Sequence, residues 1–352
     1  MNRIKSLLSI ALVLAMLAAL TACRPATKYE GNFDYGTLSD GSPIDLDKSY
    51  QDLLYAVDKS GNAAIVGNKT TSSTLIIPET IDGHTVTEIT SRAFYNNGNL
   101  TTVSLPESIV RIGSEAFSEC KNLKSVSMGD RVVEIGAKAF YNTAYLRECA
   151  EEFLIVGHGI LLHYAGNDSA VTVPEGVKTI SSAFYANINV TEITLPEGVE
   201  SVGNSAFASC VNLTKVNFPT TLTYIGERAF SKCSSMTEII IPDSVIEIGS
   251  FAYMFCSSAK SVKLSAAMTA IPDSAFIACS SLEKVELHSG ITSIGNNAFV
   301  RCKNLTAVTI PASVTSIGTG IFSQTSSQLK VTCPEGSAAE KYCKTVNVDI
   351  AE

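Results

Sequence analysis

Apolar side chains return at fixed places in this chain, and the interval between returns is 23 residues. Three stretches display it: SVGNSAFASCVNLTKVNFP (201–219), YIGERAFSKCSSMTEIIIP (224–242) and SIGNNAFVRCKNLTAVTIP (293–311). An aromatic slot, usually preceded by Ala, falls at Phe94, Phe117, Phe140, Phe184, Phe207, Phe230, Tyr253, Phe276, Phe299 and Phe322. The steps are 23, 23, 44 and then 23 to the end. Ten returns at one period signify a stack of like coils.

Each unit implies its own elements. In LTKVNFP (Leu213 to Pro219) and MTEIIIP (Met236 to Pro242), positions two apart are apolar, so they share one face of a short strand and the residue between them takes the other. Pro then ends the strand. A Val-x-x-Ile-Gly piece follows, extended and closed by a turn at Gly226, Gly249 or Gly295. The Ala-Phe step belongs on a short helical turn, with the small Ala admitting the neighbouring coil and the Phe filling the interior. A unit of 23 residues cannot bury these slots alone. Stacking joins them into one core.

Leu-x-x-Val-x-Ile-Pro followed by Val-x-x-Ile-Gly-x-x-Ala-Phe-x-x-Cys resembles the BspA-like class of bacterial leucine-rich repeats, over about residues 72–325. The resemblance implies a leucine-rich-repeat solenoid, β-rich with short helical turns, of ten repeats of about 23 residues. It also implies an exported or cell-surface protein that binds other proteins, host matrix components among them. It carries no catalytic residues onto this sequence. The long step from Phe140 to Phe184 holds a modified unit, and Phe153 to Pro174 within it suggests two strands joined through Gly157 and Gly159. This resembles a hairpin insert, placed at about 144–175. The array with its N-terminal cap is assigned to 51–325, and a C-terminal cap of strand, Gly turn and short helix to 326–352. Residues 23–50 lack periodicity and are assigned to a flexible tether.

Composition changes the picture mainly at the start of the chain. Residues 1–22 carry Arg3 and Lys5, then an apolar run from Leu7 to Leu20, too short to span a bilayer and arranged as a secretory signal. The run closes on Leu-Thr-Ala-Cys, which resembles the bacterial lipobox and makes Cys23 the lipid-bearing residue of a signal-peptide-bearing lipoprotein. More than one acyl chain is needed for stable anchoring, because a single chain binds membranes only marginally. Loss of Arg3 and Lys5 takes the net charge from −8 to about −10, which argues against nucleic acid and anionic headgroups as partners.

The cysteines tempt a metal or redox reading. Cys120, Cys210, Cys233, Cys256, Cys279 and Cys302 all stand three residues after the aromatic slot. Asn97, Thr143, Asn187 and Thr325 occupy the same slot in other units, so it takes a small side chain able to bond turn backbone. These are structural thiols, and nothing shows paired Cys-x-x-Cys spacing for zinc. Cys333 and Cys343 lie ten apart in the cap, where a disulfide in an exported protein stays open. Cys149 has no evident partner. His158 and His163 are five apart, on opposite faces of a regular strand, and suit no metal. Ser-x-x-Lys at Ser118 to Lys121 and Ser257 to Lys260 is accounted for by the repeat, since the motifs that accompany it in acylases are missing. Asp40, Asp45 and Asp47 fit no EF-hand loop. No cofactor, metal or catalytic group is expected.

What is left for function is the outward side of the strands. Thr194, Lys215, Asn217, Glu238, Ile240, Lys263, Lys284, Glu286 and Thr309 form a small, polar, charge-mixed stripe with no aromatic residue. The expected function is a non-enzymatic, lipid-anchored bacterial surface module for a protein ligand, from host matrix or a neighbouring cell. A passive spacer and a glycan-binding surface protein are the alternatives, the latter weakened because sugars favour aromatic faces.

Overall fold

The computed structural model describes residues 37–44 and 48–351. The signal segment, Cys23, Asp45 and Asp47 lie outside the described residues.

Each coil has three sides. On the front, a three-residue strand such as Lys284–Glu286 lies parallel to Ser261–Lys263 before it and Ala307–Thr309 after it. On the back, a two-residue strand such as Tyr224–Ile225 lies parallel to Ser201–Val202 and Glu247–Ile248. Partners differ by one period, Val285 facing Val308 and Ile225 facing Ile248, so like residues stack on like. Their inward members are buried: Val285, Val308 and Ile248 are at most 2% exposed, and Ile225 is 0%.

The third side carries the Ala-Phe step and has no strand. It is a chain of isolated turns, each closed by a hydrogen bond to the carbonyl three residues back: Ala229 to Gly226, Ser231 to Arg228 and Cys233 to Phe230. Between these turns Arg228 and Lys232 are left-handed, with φ of +54° and +63°. Their N–H groups, with that of Phe230 between them, then reach the next coil, donating to Ser250, Ala252 and Met254. The pattern recurs at Ser205 and Ser209, Phe251 and Phe255, and Asn297 and Arg301.

Inside, the aromatic rings form a column. Phe94 stacks on Phe117 at 5.0 Å and 2° between planes, and Phe207 on Phe230 at 5.1 Å. These spacings approach the roughly 4.8 Å between paired strands, so the backbone ladder sets the ring spacing. The recurrent Gly serves that close approach. A Cβ at Gly249 would stand 2.4 Å from the Glu227 nitrogen, and one at Gly113 2.3 Å from that of Ser91. Pro272 takes this slot in one coil and lacks the N–H that Gly249 gives to Ile225 and Gly295 gives to Ile271. The back ladder divides there, between Glu247–Ile248 and Ala270–Ile271, and the rings spread to 5.9 Å between Tyr253 and Phe276.

The front ladder divides twice, after Ser125–Ser127 and after Lys215–Asn217. At the second division Phe218 stands where other units have Leu, Ile, Val or Met, its ring edge-on to Phe230 at 5.9 Å. At the first, the chain makes a four-residue helix, Ala144–Arg147, and an antiparallel hairpin of Phe153–Val156 and Ile160–Tyr164. The hairpin is a partition between two cores. Leu154, Ile160 and Leu162 pack into the N-terminal one, and Leu161 and Tyr164 into the C-terminal one. Tyr145 closes the first ring column edge-on to Phe140 at 5.7 Å, and Tyr164 opens the second at 5.1 Å from Phe184.

Both ends are closed. The hairpin Leu53–Val57 and Ala63–Asn68 leads into the back ladder by parallel pairing with His84–Ile89. Residues 37–44, placed above in a flexible tether, fold against this cap instead. Leu38 is 2% exposed and packs with Ala56, Ala64 and Val66, while Ser39 donates to Glu88 at 2.5 Å. At the other end, helix Ala338–Val346 starts at Ser337, whose hydroxyl accepts the Glu340 N–H, and Tyr342 lies edge-on to Phe322 at 6.3 Å.

One side chain conflicts with its surroundings. Tyr253 stands in the phenylalanine column at 1% exposure, and among the described residues its hydroxyl has no hydrogen-bond partner. Tyr253→Phe is expected to stabilise the fold by about 1 to 2 kcal/mol, because an unsatisfied buried hydroxyl is removed and the ring kept. Urea unfolding of both proteins measures this, and a lower midpoint for the variant would show that the hydroxyl is bonded.

Candidate interaction face

The front strands alternate as pleated strands must, their central residue inward and the flanking pair outward. Of the stripe residues, Lys215, Glu238, Ile240, Lys263, Lys284 and Glu286 are exposed, and Thr194, Asn217 and Thr309 are half-buried. The structure brings them together in two groups. Thr194 lies beside Asn217 on one sheet, next to Lys215 and Glu192. Ile240 lies beside Lys263, Ser261 beside Lys284, and Glu286 beside Thr309 on the next sheet. The ladder division between Asn217 and Glu238 separates the groups.

Charges within the stripe partner each other. Lys215 Nζ lies 2.9 Å from Glu192 Oε1, and the same oxygen accepts from Asn217 Nδ2 at 2.9 Å. Those bonds, the Lys215 one first, hold the Glu192 carboxyl below its ordinary pKa. Lys284 pairs with Glu286, and Lys263 lies 3.8 Å from Asp243. Such exposed pairs are screened by salt and add little to stability. Their consequence is a neutral stripe of alternating sign whose aliphatic member is Ile240, 48% exposed.

Aromatics outside the core do occur on the turn side, Tyr95 and Tyr141 exposed and Tyr185 half-buried. Tyr95, Tyr141 and Tyr185 each follow the column Phe, and a cation covers each: Arg92 at 4.1 Å from the Tyr95 ring, Lys138 at 4.0 Å from Tyr185 and 5.9 Å from Tyr141. Tyr141 and Tyr185 meet edge-on at 5.6 Å across the junction made by the insert. Sequence reasoning weighed only the strand stripe and missed this cluster. Its signal was the Phe-Tyr pair at 94–95, 140–141 and 184–185.

The tempting chemistry resolves into structural roles. Each ladder thiol donates to the carbonyl of the column aromatic one coil earlier: Cys210 to Phe184 at 2.9 Å, Cys233 to Phe207 at 3.2 Å, Cys302 to Phe276 at 3.2 Å. Thr143 and Thr325 in the same slot donate instead to the carbonyl of their own coil's Phe, each at 2.7 Å. Burial pushes the Cys210 and Cys302 thiols up to about 12 and that of Cys120 to about 11. His158 lies 2.7 Å from Lys178 Nζ, and His288 faces the Ser265 carbonyl at 2.9 Å. Burial lowers the pKa of His163. Asp40 accepts from the Ser42 and Lys59 N–H groups at 2.7 and 2.8 Å, and so joins the tether segment to the cap.

A thiol held at about 12 is protonated and unreactive at pH 8. An aromatic disulfide reagent added to the folded chain at pH 8 is therefore expected to label Cys149 and Cys333, both half-buried, well before the six ladder cysteines. Mass spectrometry of the labelled peptides reads this out, and prompt labelling of Cys233 or Cys256 would show that the coil interior opens.

A family model described as a BspA type leucine rich repeat region matches in six copies, over residues 68–151, 162–252 and 225–343. Among solved structures, a leucine rich cell surface protein from Faecalibacterium prausnitzii is 22% identical, with 87% of this chain and 98% of its own covered and a TM-score of 0.36. A leucine-rich repeat protein from Bacteroides ovatus is 21% identical, with 84% and 96% covered and a TM-score of 0.38. The pneumococcal vaccine antigen PcpA is 15% identical, with 87% and 98% covered and a TM-score of 0.38. No curated protein matches the sequence.

Proposed function

This chain belongs to the BspA-type leucine-rich repeat family, and from that premise we propose that it is an exported, non-enzymatic surface module that binds a protein ligand through its front strands, held to a membrane by lipid on Cys23. The observation that supports the binding reading is the stripe itself. Lys215, Glu238, Lys263, Lys284 and Glu286 are exposed at successive rungs, on strands held by backbone pairing rather than by those side chains. Open solenoid faces of this kind serve as extended binding surfaces. Without Trp, Tyr or Arg anchors the face suits a broad contact whose register is set by alternating charge. The ligand class is a host matrix protein or a protein of a neighbouring cell.

A passive spacer is the second reading, and one observation favours it. Lys215 and Lys284 already pair with Glu192 and Glu286, so these charges are satisfied without a ligand. The two readings part under charge reversal. With Lys263→Glu, Lys284→Glu and Glu286→Lys combined, capture of purified matrix proteins by the immobilised chain is expected to fall to background. No capture by wild type would favour the spacer, and equal capture by both proteins would put binding away from these front-strand charges.

The anchor has its own test. Metabolic labelling with a fatty-acid analogue is expected to mark the wild-type chain, and Cys23→Ala should abolish the mark. Unchanged labelling would show that the segment ending at Cys23 is no lipobox.

A further inference from the structure

We propose that the slot beside strand Ser125–Ser127 takes an extended peptide, added as a parallel strand, with a basic side chain at its C-terminal end to meet Asp130. The proposal rests on the protein-binding reading and gives it a second, separate site.

The argument starts from backbone pairing. The Ser125 N–H donates to Thr101 at 3.2 Å and the Ser127 carbonyl accepts from Leu105 at 2.9 Å, so residues 125 and 127 turn their polar groups toward the preceding strand. In a parallel ladder the residue between them turns its N–H and C=O the opposite way. On that side of Val126 there is no strand among the described residues, since Ser125–Ser127 ends its sheet. A regular array would place the next rung 23 residues on. Here the next front strand is Ala170–Thr172, because the chain spends the intervening length on the helix and the hairpin.

One rung of the front ladder is therefore missing, and a cavity of about 300 Å³ lies in its place. Val126, Met128, Asp130, Tyr145, Ile155 and Val156 line it. Val126 is half-buried, as are Val216 at the other free margin of the front ladder and Val262 within it, whereas Val103 and Ile193 in the equivalent slot are 0% exposed. Strand Phe153–Val156 on the other wall is also the margin of its sheet. Unpaired strand edges recruit extended peptides, whose main chain gives the hydrogen bonds and whose alternate side chains enter the groove. Here alternate aliphatic residues would pack on Val126, Tyr145, Ile155 and Val156. Asp130 is exposed, and among the described residues its carboxylate makes no hydrogen bond or ion pair. It lies beyond the C-terminal end of the strand, which puts the basic residue at the same end of a parallel partner.

The probe is a fluorescent hexapeptide of alternating Thr and Val that ends in Arg, titrated against the full chain in detergent and followed by anisotropy. Saturable binding is expected. Val126→Pro deletes the outward N–H and leaves the ladder bonds of Ser125 and Ser127 in place, so it should weaken binding roughly tenfold, the effect of one lost hydrogen bond in a desolvated site. Should that variant fold poorly, Asp130→Lys decides: it should weaken the Arg-ended peptide and strengthen the same peptide ending in Glu. No saturable binding, equal binding by Val126→Pro, or no change in preference with Asp130→Lys would overturn the proposal. So would peptide-sensitive dimers of the chain, which would make a second copy the occupant. If the probe fails while capture of matrix proteins still depends on Lys263, Lys284 and Glu286, the slot is wrong and the front-face reading stands.

Discussion

Main-chain hydrogen bonds between successive coils are the constraint from which this structure follows. Buried N–H and C=O groups must be paired. A coil built of strands two and three residues long has few partners within itself, so its neighbour must supply them. Every side therefore has to aim donors and acceptors along the stack. Strands do this by their pleat. The turn side does it by holding the residues two before and two after the column Phe in the left-handed region, which aligns three successive alternate N–H groups with the next coil. For residues other than Gly that conformation costs on the order of 1 kcal/mol each. An unpaired buried N–H costs as much or more, and the exchange favours the strained turn.

Once the ladder sets the coil spacing, the side-chain slots follow. Rings can stack only at 5.0 to 6.2 Å, which selects a flat aromatic at the column position. Backbone contact at 2.4 Å from a would-be Cβ selects Gly. A carbonyl left facing a small gap in the next coil selects a side chain that is compact and can donate, and Cys meets both needs at six of the ten positions. The reactivity of the thiol plays no part in this choice.

These slots explain what was legible in the sequence. The period, the column, the inward Val and Ile of each strand, and the replacement of Cys by Asn or Thr are all readable because each is repeated under one steric rule. The left-handed positions were not readable, since Arg228, Ser205, Phe251 and Asn297 share no side-chain chemistry and owe their conformation to backbone pairing. The folding of residues 37–44 onto the cap was missed for a related reason: one buried Leu38 and a few polar bonds make no periodic pattern. Two of the divisions of the ladder were present as single letters, Pro272 and Phe218, whose effect depends on a neighbour 23 residues away.

The same logic separates folding from recognition. In regular coils the backbone is paired and the exposed charges partner one another, as Lys215 and Glu192 do, so the outward residues are free of the steric rule that governs the inward ones. Such a face gains affinity for a ligand only through side chains spread over many rungs, each contributing little. Irregular coils differ in kind. Where the hairpin divides the two cores, the structure concentrates the Tyr141–Tyr185 pair with its lysine, the largest break in the front ladder, and a cavity bordered by strand margins. Unpaired backbone and exposed aromatic rings are the features that a regular repeat suppresses and that tight, directional contacts need. The insert costs the array a rung of pairing, and that cost is compensated locally by burial of Leu154, Ile160, Leu161 and Leu162 on both of its faces. A purely structural interruption would need only to seal two cores; this one also leaves an open edge beside them.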